Sequence, residues 1–449
     1  MTHIVVIGGG IAGLSAAWEI QKRGQATFSL LEASERWGGK VHSRTLVASN
    51  GDKFLVDGGP ESFVTRKPEV WELAHELGLA DELVNPGSET RNIYVLDGGR
   101  PYPIPLSPAL FFSSPLMTWR GKLRLLAEPF QPARRDTEDE SLAAFGTRRL
   151  GREALEKFIG PVLGGIYNTD PAHQSILVSS PVMREMEAES GSLVLAALKR
   201  AFRPRPKDGR PSFVTFKHGA QVLTDAMAAQ LKGDLRLNAE VTRIQRDGAG
   251  YCVMLSNGDT IQADKIILAI LASQAAGLLR ETAPQAASQL DLIQHNHIGT
   301  VSLVFRESDL PQKPVVNGLM IPRREKRAID AVTFTSRKTP QRAAPGFVLL
   351  RVYLGGARPD VVEMDDAGLV AAVCAELGAL LGIHAKPLDY TIFRWLKGFP
   401  QANVGHLGRV AQVEALLPAG IGLAGSSYRG IAVPDCIKQG REIVQKLLQ

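Results

Sequence analysis

The sequence predicts an α/β fold organised on a parallel sheet, and three observations carry that reading. The first is the run Ile4-Val5-Val6-Ile7-Gly8-Gly9-Gly10-Ile11-Ala12-Gly13, an apolar β-branched strand that ends in a glycine turn and enters a helical stretch. The second is Thr27-Phe28-Ser29-Leu30-Leu31-Glu32, a strand closed by an acid. The third lies far downstream, where Asp264-Lys265-Ile266-Ile267-Leu268-Ala269 has the composition of a parallel strand buried on both faces. Strand, turn, helix, strand and acid stand in the order of a Rossmann-like dinucleotide site. The backbone from Gly8 through Gly9, Gly10, Ile11 and Ala12 to Gly13 would lie against a pyrophosphate at the helix N-terminus. Glu32 would accept hydrogen bonds from a ribose 2′-OH and repel a 2′-phosphate, which favours an FAD- or NAD-type ligand over NADP.

The residues after Glu32 separate these two. Arg36-Trp37-Gly38-Gly39-Lys40-Val41-His42-Ser43 adds a glycine pair between two cations, and Asp57-Gly58-Gly59-Pro60-Glu61-Ser62 adds another about twenty residues on. A nicotinamide fold needs neither. Both are read either as solvated turns or as points where backbone approaches a long, extended cofactor. FAD is the better fit.

Composition bounds the rest. A chain of 449 residues exceeds what one core usually organises, so two or three domains are expected. Lys plus Arg number 52 against 46 for Asp plus Glu, a net +6 that suits anionic small molecules or an anionic membrane surface and is too mild to argue for nucleic acid. Cys252, Cys374 and Cys436 are widely separated, so neither a disulfide framework nor a CxxC metal site is expected. His295 and His297 have no carboxylate or cysteine at ligand spacing, and no structural metal is expected. The N-terminal apolar stretch is broken by four glycines and Glu19 and has no basic leader, so it does not read as a signal peptide. No apolar run reaches the roughly 18 residues of a spanning helix. A cytoplasmic protein is expected.

Along the chain, residues 68–79 read as an amphipathic helix with Val70, Trp71, Ala74 and Leu77 on one face, and 91–105 as two strands around Gly98-Gly99. Residues 105–130 interleave Leu106, Leu110, Phe111, Phe112, Leu116, Met117 and Trp119 with Arg120, Lys122 and Arg124. Such helices either lie in a membrane interface or line an internal cavity; both hold if the cavity mouth opens at the membrane. Helices continue over 142–198, broken by 164–171, and the basic, proline-rich stretch 199–211 reads as an exposed connector. Strand alternation then resumes from Phe213, with a hairpin at Asn257-Gly258 and strands at 297–305, 331–336, 347–355 and 390–396. The strand 421–427 precedes a helix opening at Pro434, whose N-terminus would stabilise the anion of a reduced flavin; the plainer reading is C-terminal docking on the sheet. The expected organisation is a dinucleotide-binding domain discontinuous in sequence (1–88, 212–275 and 405–449), a mixed-sheet substrate domain (89–105 and 276–404) and a helical, membrane-associating insertion (106–211).

Taken together, the glycine turn with Glu32, the 36–43 segment, Gly59-Pro60-Glu61-Ser62-Phe63, Gly165-Ile166-Tyr167-Asn168-Thr169-Asp170-Pro171, Trp395 with Pro400 and His406, and the run 425–437 resemble the flavin-dependent porphyrinogen oxidases over essentially the whole chain. That family oxidises protoporphyrinogen or coproporphyrinogen III within the wider group of flavin amine oxidases. The first two marks are shared across that wider group; the middle and last are more particular. The resemblance implies one non-covalent FAD contacted by Gly8 to Gly13, Glu32, Ala33, Arg36, Gly39, Lys40, Gly59, Pro60, Glu61, Ser62, Val241, Trp395, Gly425, Ile431, Ala432 and Val433. It implies a tetrapyrrole held by Arg91, which would grip a propionate, with Gly165, Ile166 and Tyr167. One departure is Ile431-Ala432-Val433, where the family usually has Gly-Ile, so the alanine would crowd the flavin edge.

The implied chemistry is hydride removal from a bridging methylene to flavin N5, with O2 reoxidising the flavin to give hydrogen peroxide. It needs no nucleophile, and no serine, cysteine or histidine constellation stands at triad spacing. Catalysis would come from positioning. The resemblance also implies heme or porphyrin biosynthesis, hand-over of porphyrin to a ferrochelatase, a monomer or homodimer, and peripheral contact with the cytoplasmic face of a membrane. Two other readings are an amine oxidase, with Trp395 and Tyr428 as the only candidates for an aromatic cage, and a non-catalytic carrier of lipid-modified partners on the same fold.

Overall fold

A computed structural model describes residues 1–48, 51–86, 93–105, 107–201, 210–311 and 317–449. The expected propionate-binding Arg91, Leu106 of the aromatic stretch and 202–209 of the basic connector lie outside the described residues.

The opening motif forms strand β1 (Thr2–Ile7), helix α1 (Ile11–Arg23) and strand β2 (Ala26–Leu31). β1 is the centre of a five-stranded sheet in the order Asp234–Arg236, β2, β1, Lys265–Leu268, Ile421–Leu423, in which every pair is parallel. Strands from the middle and the far end of the chain thus complete a sheet begun at the N-terminus. Side chains alternate across a strand, so Ile4 and Val6 enter one core with α1 and the C-terminal helix Val433–Leu448, while Val5 and Ile7 enter a second core on the other face. This double burial is why the strands read as unbroken apolar runs. α1 ends where Gly24 takes a left-handed φ of 65°, a conformation that favours glycine.

A three-stranded antiparallel sheet (Val241–Asp247, Gly250–Leu255, Thr260–Ala263) covers the second core, its hairpin turning at Asn257-Gly258 as the turn chemistry requires. The larger sheet has seven strands in the order Asp389–Pro400, His295–Arg306, Phe347–Leu354, Ala331–Phe334, Gly318–Met320, Ile93–Asp97, Arg100–Pro103. Its one parallel pair, Gly318–Met320 with Ile93–Asp97, makes it mixed. Helix Asp366–Leu381 closes its apolar face through Leu369, Val373 and Leu377.

Residues 107–201 are helical, with Phe145, Leu142 and Ile176 at their centre and an unusual amount of buried charge beside them. Arg149 and Glu128 pair with no solvent exposure, and Glu187 takes Arg148 and Arg184. The expected break at 164–171 is present but starts later: helix Gly160–Tyr167 runs through both glycines, and the chain leaves the helix at Asn168, whose φ of 45° is left-handed, until the next helix begins at Ile176. Gly164 does not break the helix; a Cβ there would stand 3.2 Å from Pro171, so its smallness admits the returning loop. Sequence periodicity also gave no sign of the ribbon Ser43–Val47 with Lys53–Asp57, which carries the chain from the 36–43 segment to Gly58.

Candidate functional site

The site is built at the C-terminal ends of β1 and β2. Gly8 has φ +105°, and a Cβ there would approach the Ala269 carbonyl to 2.6 Å; one on Gly13 would come within 1.9 Å of the Gly8 carbonyl. Both therefore hold the turn tight against α1. Gly10 caps α1 with no side-chain hydrogen bond, the first turn carries no acid, and nothing stands within 4 Å of where its Cβ would be. The first N–H groups of a helix lack intrahelical acceptors, so these donors are open to an anion. Glu32 lies alongside: its Oε2 accepts from Gly9 N at 2.7 Å, and its Oε1 accepts from the backbone N and the hydroxyl of Ser34. A carboxylate has about four acceptor positions, so at least one remains for a ribose hydroxyl. Ala33 is exposed next to it, and Ala239 N donates to the Glu32 carbonyl, which brings Val241 beside the same strand end.

The 36–43 segment folds back onto the turn. Gly38 N donates to the Gly9 carbonyl at 2.8 Å, and the Arg36 guanidinium donates to the carbonyls of Trp37 and Gly39. Burial lowers the Arg36 pKa, partly offset by Glu32. Gly59 sits so near Lys40 that a Cβ would stand 1.9 Å from the Lys40 carbonyl. Lys40 Nζ donates to the Gly398 carbonyl at 2.6 Å and lies 3.5 Å from the Ser426 hydroxyl; burial pulls its ammonium below the ordinary value. Trp395 Nε1 donates to the Gly58 carbonyl, and Gly425 has φ +126° beside Ser426. The segments 36–43, 57–62, 395–398 and 425–433 therefore converge at one place. Ala432, the residue expected to crowd the site, is the N-cap of the C-terminal helix with φ −71° and ψ 150°, an ordinary extended backbone.

Gly165 and Tyr167 share a helix but not a surface. Gly165 lines a cleft of about 410 Å³ between that helix and the segment from Ile321 to Arg324, with Asn168 and Asp330. Tyr167 instead feels Asp435 and Arg66; burial first, then Asp435, pushes its phenol up to about 12. Ile166 lies between them on the helix. Tyr428 is 1% exposed and its hydroxyl donates to the Ile270 carbonyl, so it packs into the second core and does not form an aromatic cage with Trp395.

Sequence reasoning missed the charges that surround Glu61. Its side chain is 5% exposed and stands 3.6 Å from both Lys338 Nζ and Arg351 Nη1. Arg351 Nη2 donates to the Gly59 carbonyl at 2.7 Å and Lys338 Nζ to the Ser62 hydroxyl at 3.0 Å, across 292 and 276 residues of sequence. One step behind, Asp57 and Arg342 form an ion pair with no solvent exposure. No local motif announces these partners. Elsewhere, His295 meets the Ser427 hydroxyl and His406 the Tyr428 carbonyl; burial drives the Cys436 thiol up to about 12. Among the described residues no cluster of three His, Cys, Asp or Glu side chains is placed to hold a metal.

A parallel sheet with an uncapped helix at a glycine turn and an acid closing the second strand defines a dinucleotide-dependent oxidoreductase scaffold. Residues 11–448 match the model of the flavin containing amine oxidoreductases, and the chain belongs to that family. It is therefore a flavin-dependent oxidoreductase, and the open α1 donors and the acceptor position on Glu32 fit such a cofactor. Among relatives, the chain is 33% identical to coproporphyrinogen III oxidase of Bacillus subtilis, over 99% of this chain and 98% of that one. It is 29% identical to the coproporphyrinogen III oxidase of Staphylococcus aureus over 99% and 98%, and 27% to the chloroplastic protoporphyrinogen oxidase of Oryza sativa over 99% and 87%. A crystal structure from Exiguobacterium sp. 255-15, provisionally assigned as a protoporphyrinogen oxidase, superposes with a TM-score of 0.86 at 28% identity, covering 100% of this chain and 98% of that one. A putrescine oxidase, at a TM-score of 0.71 and 16% identity, shares the fold.

Proposed function

We propose that the protein oxidises a porphyrinogen, protoporphyrinogen IX or coproporphyrinogen III, to the porphyrin, with O2 as acceptor and H2O2 as by-product. The carrying observation is the likeness to coproporphyrinogen III oxidases over 99% of the chain, helical region included. The cofactor is FAD, non-covalent, with its pyrophosphate at Gly8 to Gly13, its ribose at Glu32 and its ring near Gly59, Lys40, Trp395 and the start of the C-terminal helix. Bound there, it supplies a two-electron acceptor for hydride. The chain's own residues orient the substrate: Trp395 and Lys40 tie the 58–59 and 398 backbones together, and Arg91 meets a propionate. We assign the five-stranded sheet to cofactor binding, the seven-stranded sheet to substrate binding and residues 106–211 to a helical insertion that touches a membrane peripherally. A cytoplasmic location and hand-over to a ferrochelatase belong to the same reading.

The test is anaerobic mixing of the yellow holoprotein with each porphyrinogen. Loss of the flavin's visible absorbance, and its return with O2 and peroxide, is the expected result. Bleaching by putrescine or another amine, and by neither porphyrinogen, would move the protein among the amine oxidases.

A further inference from the structure

The edge strand of the seven-stranded sheet is irregular where it meets the cofactor segments. Asp389–Pro400 pairs Trp395 with Ile298 and Phe399 with Asn296, so three residues, Leu396, Lys397 and Gly398, stand opposite the single His297. Leu396 and Lys397 bulge to the surface, Lys397 with a left-handed φ of 47°, while Gly398 stays buried. This bulge aims the site. Just before it Trp395 Nε1 reaches the Gly58 carbonyl, and at its end the Gly398 carbonyl accepts from Lys40 Nζ at 2.6 Å. Bulges beside functional sites re-aim side chains in this way, and a lysine at positive φ persists only where its surroundings hold it.

His297 is where that hold is applied. Its Nδ1 accepts from Lys397 N at 3.4 Å, and its Nε2 lies 3.3 Å from Glu363. Its carbonyl accepts from Asn168 Nδ2 at 3.1 Å and packs so closely on Gly355 that a Cβ there would stand 2.3 Å from it. Asn168 comes from the helical region, where it ends helix Gly160–Tyr167, and it is 5% exposed. Its own carbonyl accepts from Asn296 Nδ2 at 3.2 Å and from Arg323 Nη2 at 3.3 Å. Two asparagines therefore clasp the helix end to the strand at 296 and 297. For ending the helix alone, glycine would serve at least as well, since it is the usual residue at a left-handed C-terminus. Asparagine adds only its amide, and the amide N–H goes to His297.

Resting on the placement of the flavin ring in the reading above, we propose that Asn168 is a positioning residue for the cofactor site. Through the His297 carbonyl it fixes the bulge, and with it the places of Trp395 against Gly58 and of Gly398 against Lys40. The same hydrogen bond ties the helix that carries Gly165 and Tyr167 to the strand that carries Trp395, so the two walls of the site keep one geometry. Misplacement by about 1 Å in such a frame slows a reaction by about 100-fold.

The test compares Asn168→Gly with wild type. The variant keeps the left-handed helix end and loses only the amide, so the apoprotein should melt close to the wild-type temperature. Its FAD dissociation constant should rise about tenfold, and the visible circular dichroism of the bound flavin should change. Anaerobic flavin reduction by saturating coproporphyrinogen III should slow about tenfold, with a smaller change in the half-saturating concentration. Arg323→Met removes a different bond to Asn168 and leaves the one to His297, so it should match wild type throughout. Unchanged FAD affinity in Asn168→Gly, or an equal loss in Arg323→Met, would overturn the proposal and leave Asn168 a helix end only. If Asn168→Gly does not fold, Asn168→Asp decides by the same measurements, because its ionised carboxylate tolerates the left-handed backbone and cannot donate to a carbonyl. The flavin placement is tested apart from this by Trp395→Phe: FAD affinity and dichroism unchanged in that variant would defeat the reading on which the proposal rests.

Discussion

Asp57 and Arg342 show how single residues hold this site in place. The Asp57 carboxylate pairs with the Arg342 guanidinium in full burial and also accepts from the Ser43 hydroxyl and Ala220 N. Arg342 in turn donates to the Thr215 hydroxyl and the Phe216 carbonyl. A buried pair gives little net stability relative to apolar residues, but removing one partner leaves an uncompensated charge. Arg342→Met should therefore cost about 3–5 kcal/mol, read as a lowered denaturant midpoint with an unchanged slope. A midpoint within error of wild type would show that water reaches Asp57 and solvates it.

At the scale of elements, the helices within residues 107–201 separate two kinds of cation that look alike in sequence. Lys122 is buried and donates to the carbonyls of Phe112 and Ser114, and Arg124 donates to those of Arg148 and Arg149, so both close helix ends inside the fold. Arg120, Lys199 and Arg200 remain exposed. Around them Trp119 is 64% exposed, Leu123 63% and Phe130 87%, with Phe112, Leu126, Leu195 and Leu198 also exposed, while Leu116 and Met117 are core. Apolar side chains rimmed by cations suit an anionic lipid surface, and no helix among the described residues is long and apolar enough to cross one. Co-sedimentation with anionic liposomes should weaken as salt rises and fall several-fold, by roughly 1 kcal/mol or more, in Trp119→Ser/Leu123→Ser. Absence of co-sedimentation at any ionic strength would discard the membrane reading and leave the oxidoreductase reading intact.

For the whole molecule, the candidate cofactor site joins segments that lie far apart in sequence. Residues 8–13, 36–43 and 57–62 meet 395–398 from the larger sheet and 425–433 from the C-terminus. A ligand contacting all of them stabilises the native state by mass action, by about 2.7 kcal/mol at a hundredfold excess over Kd. The melting temperature of the apoprotein should therefore rise with added FAD. Glu32→Arg should abolish that rise without lowering the apoprotein's own melting temperature by a comparable amount. An unchanged FAD response in the variant would remove Glu32 from the ribose site.

The sequence by itself determined the parallel sheet, its glycine turn and its terminal acid, because these rest on local physics: β-branched runs, positive-φ glycines and a short βαβ spacing act within about thirty residues. It also placed Lys265–Leu268 and the helix opening at Pro434, each from its own composition. The ribbon leading to Asp57 was not legible: Ser43–Val47 is exposed or half-exposed throughout, and Lys53–Asp57 buries Phe54 and Val56 within a continuous apolar run, Phe54-Leu55-Val56, that shows no alternation. Nor was the helix through Gly164 and Gly165, where glycine suggests a break and packing against Pro171 supplies the reason for smallness. Which cations are buried, and that Glu61 stands among Lys338, Arg351 and Arg342, was decided only by tertiary structure. Charge pairing acts through space between residues almost three hundred positions apart, and no periodicity or spacing rule in one sequence records such a contact.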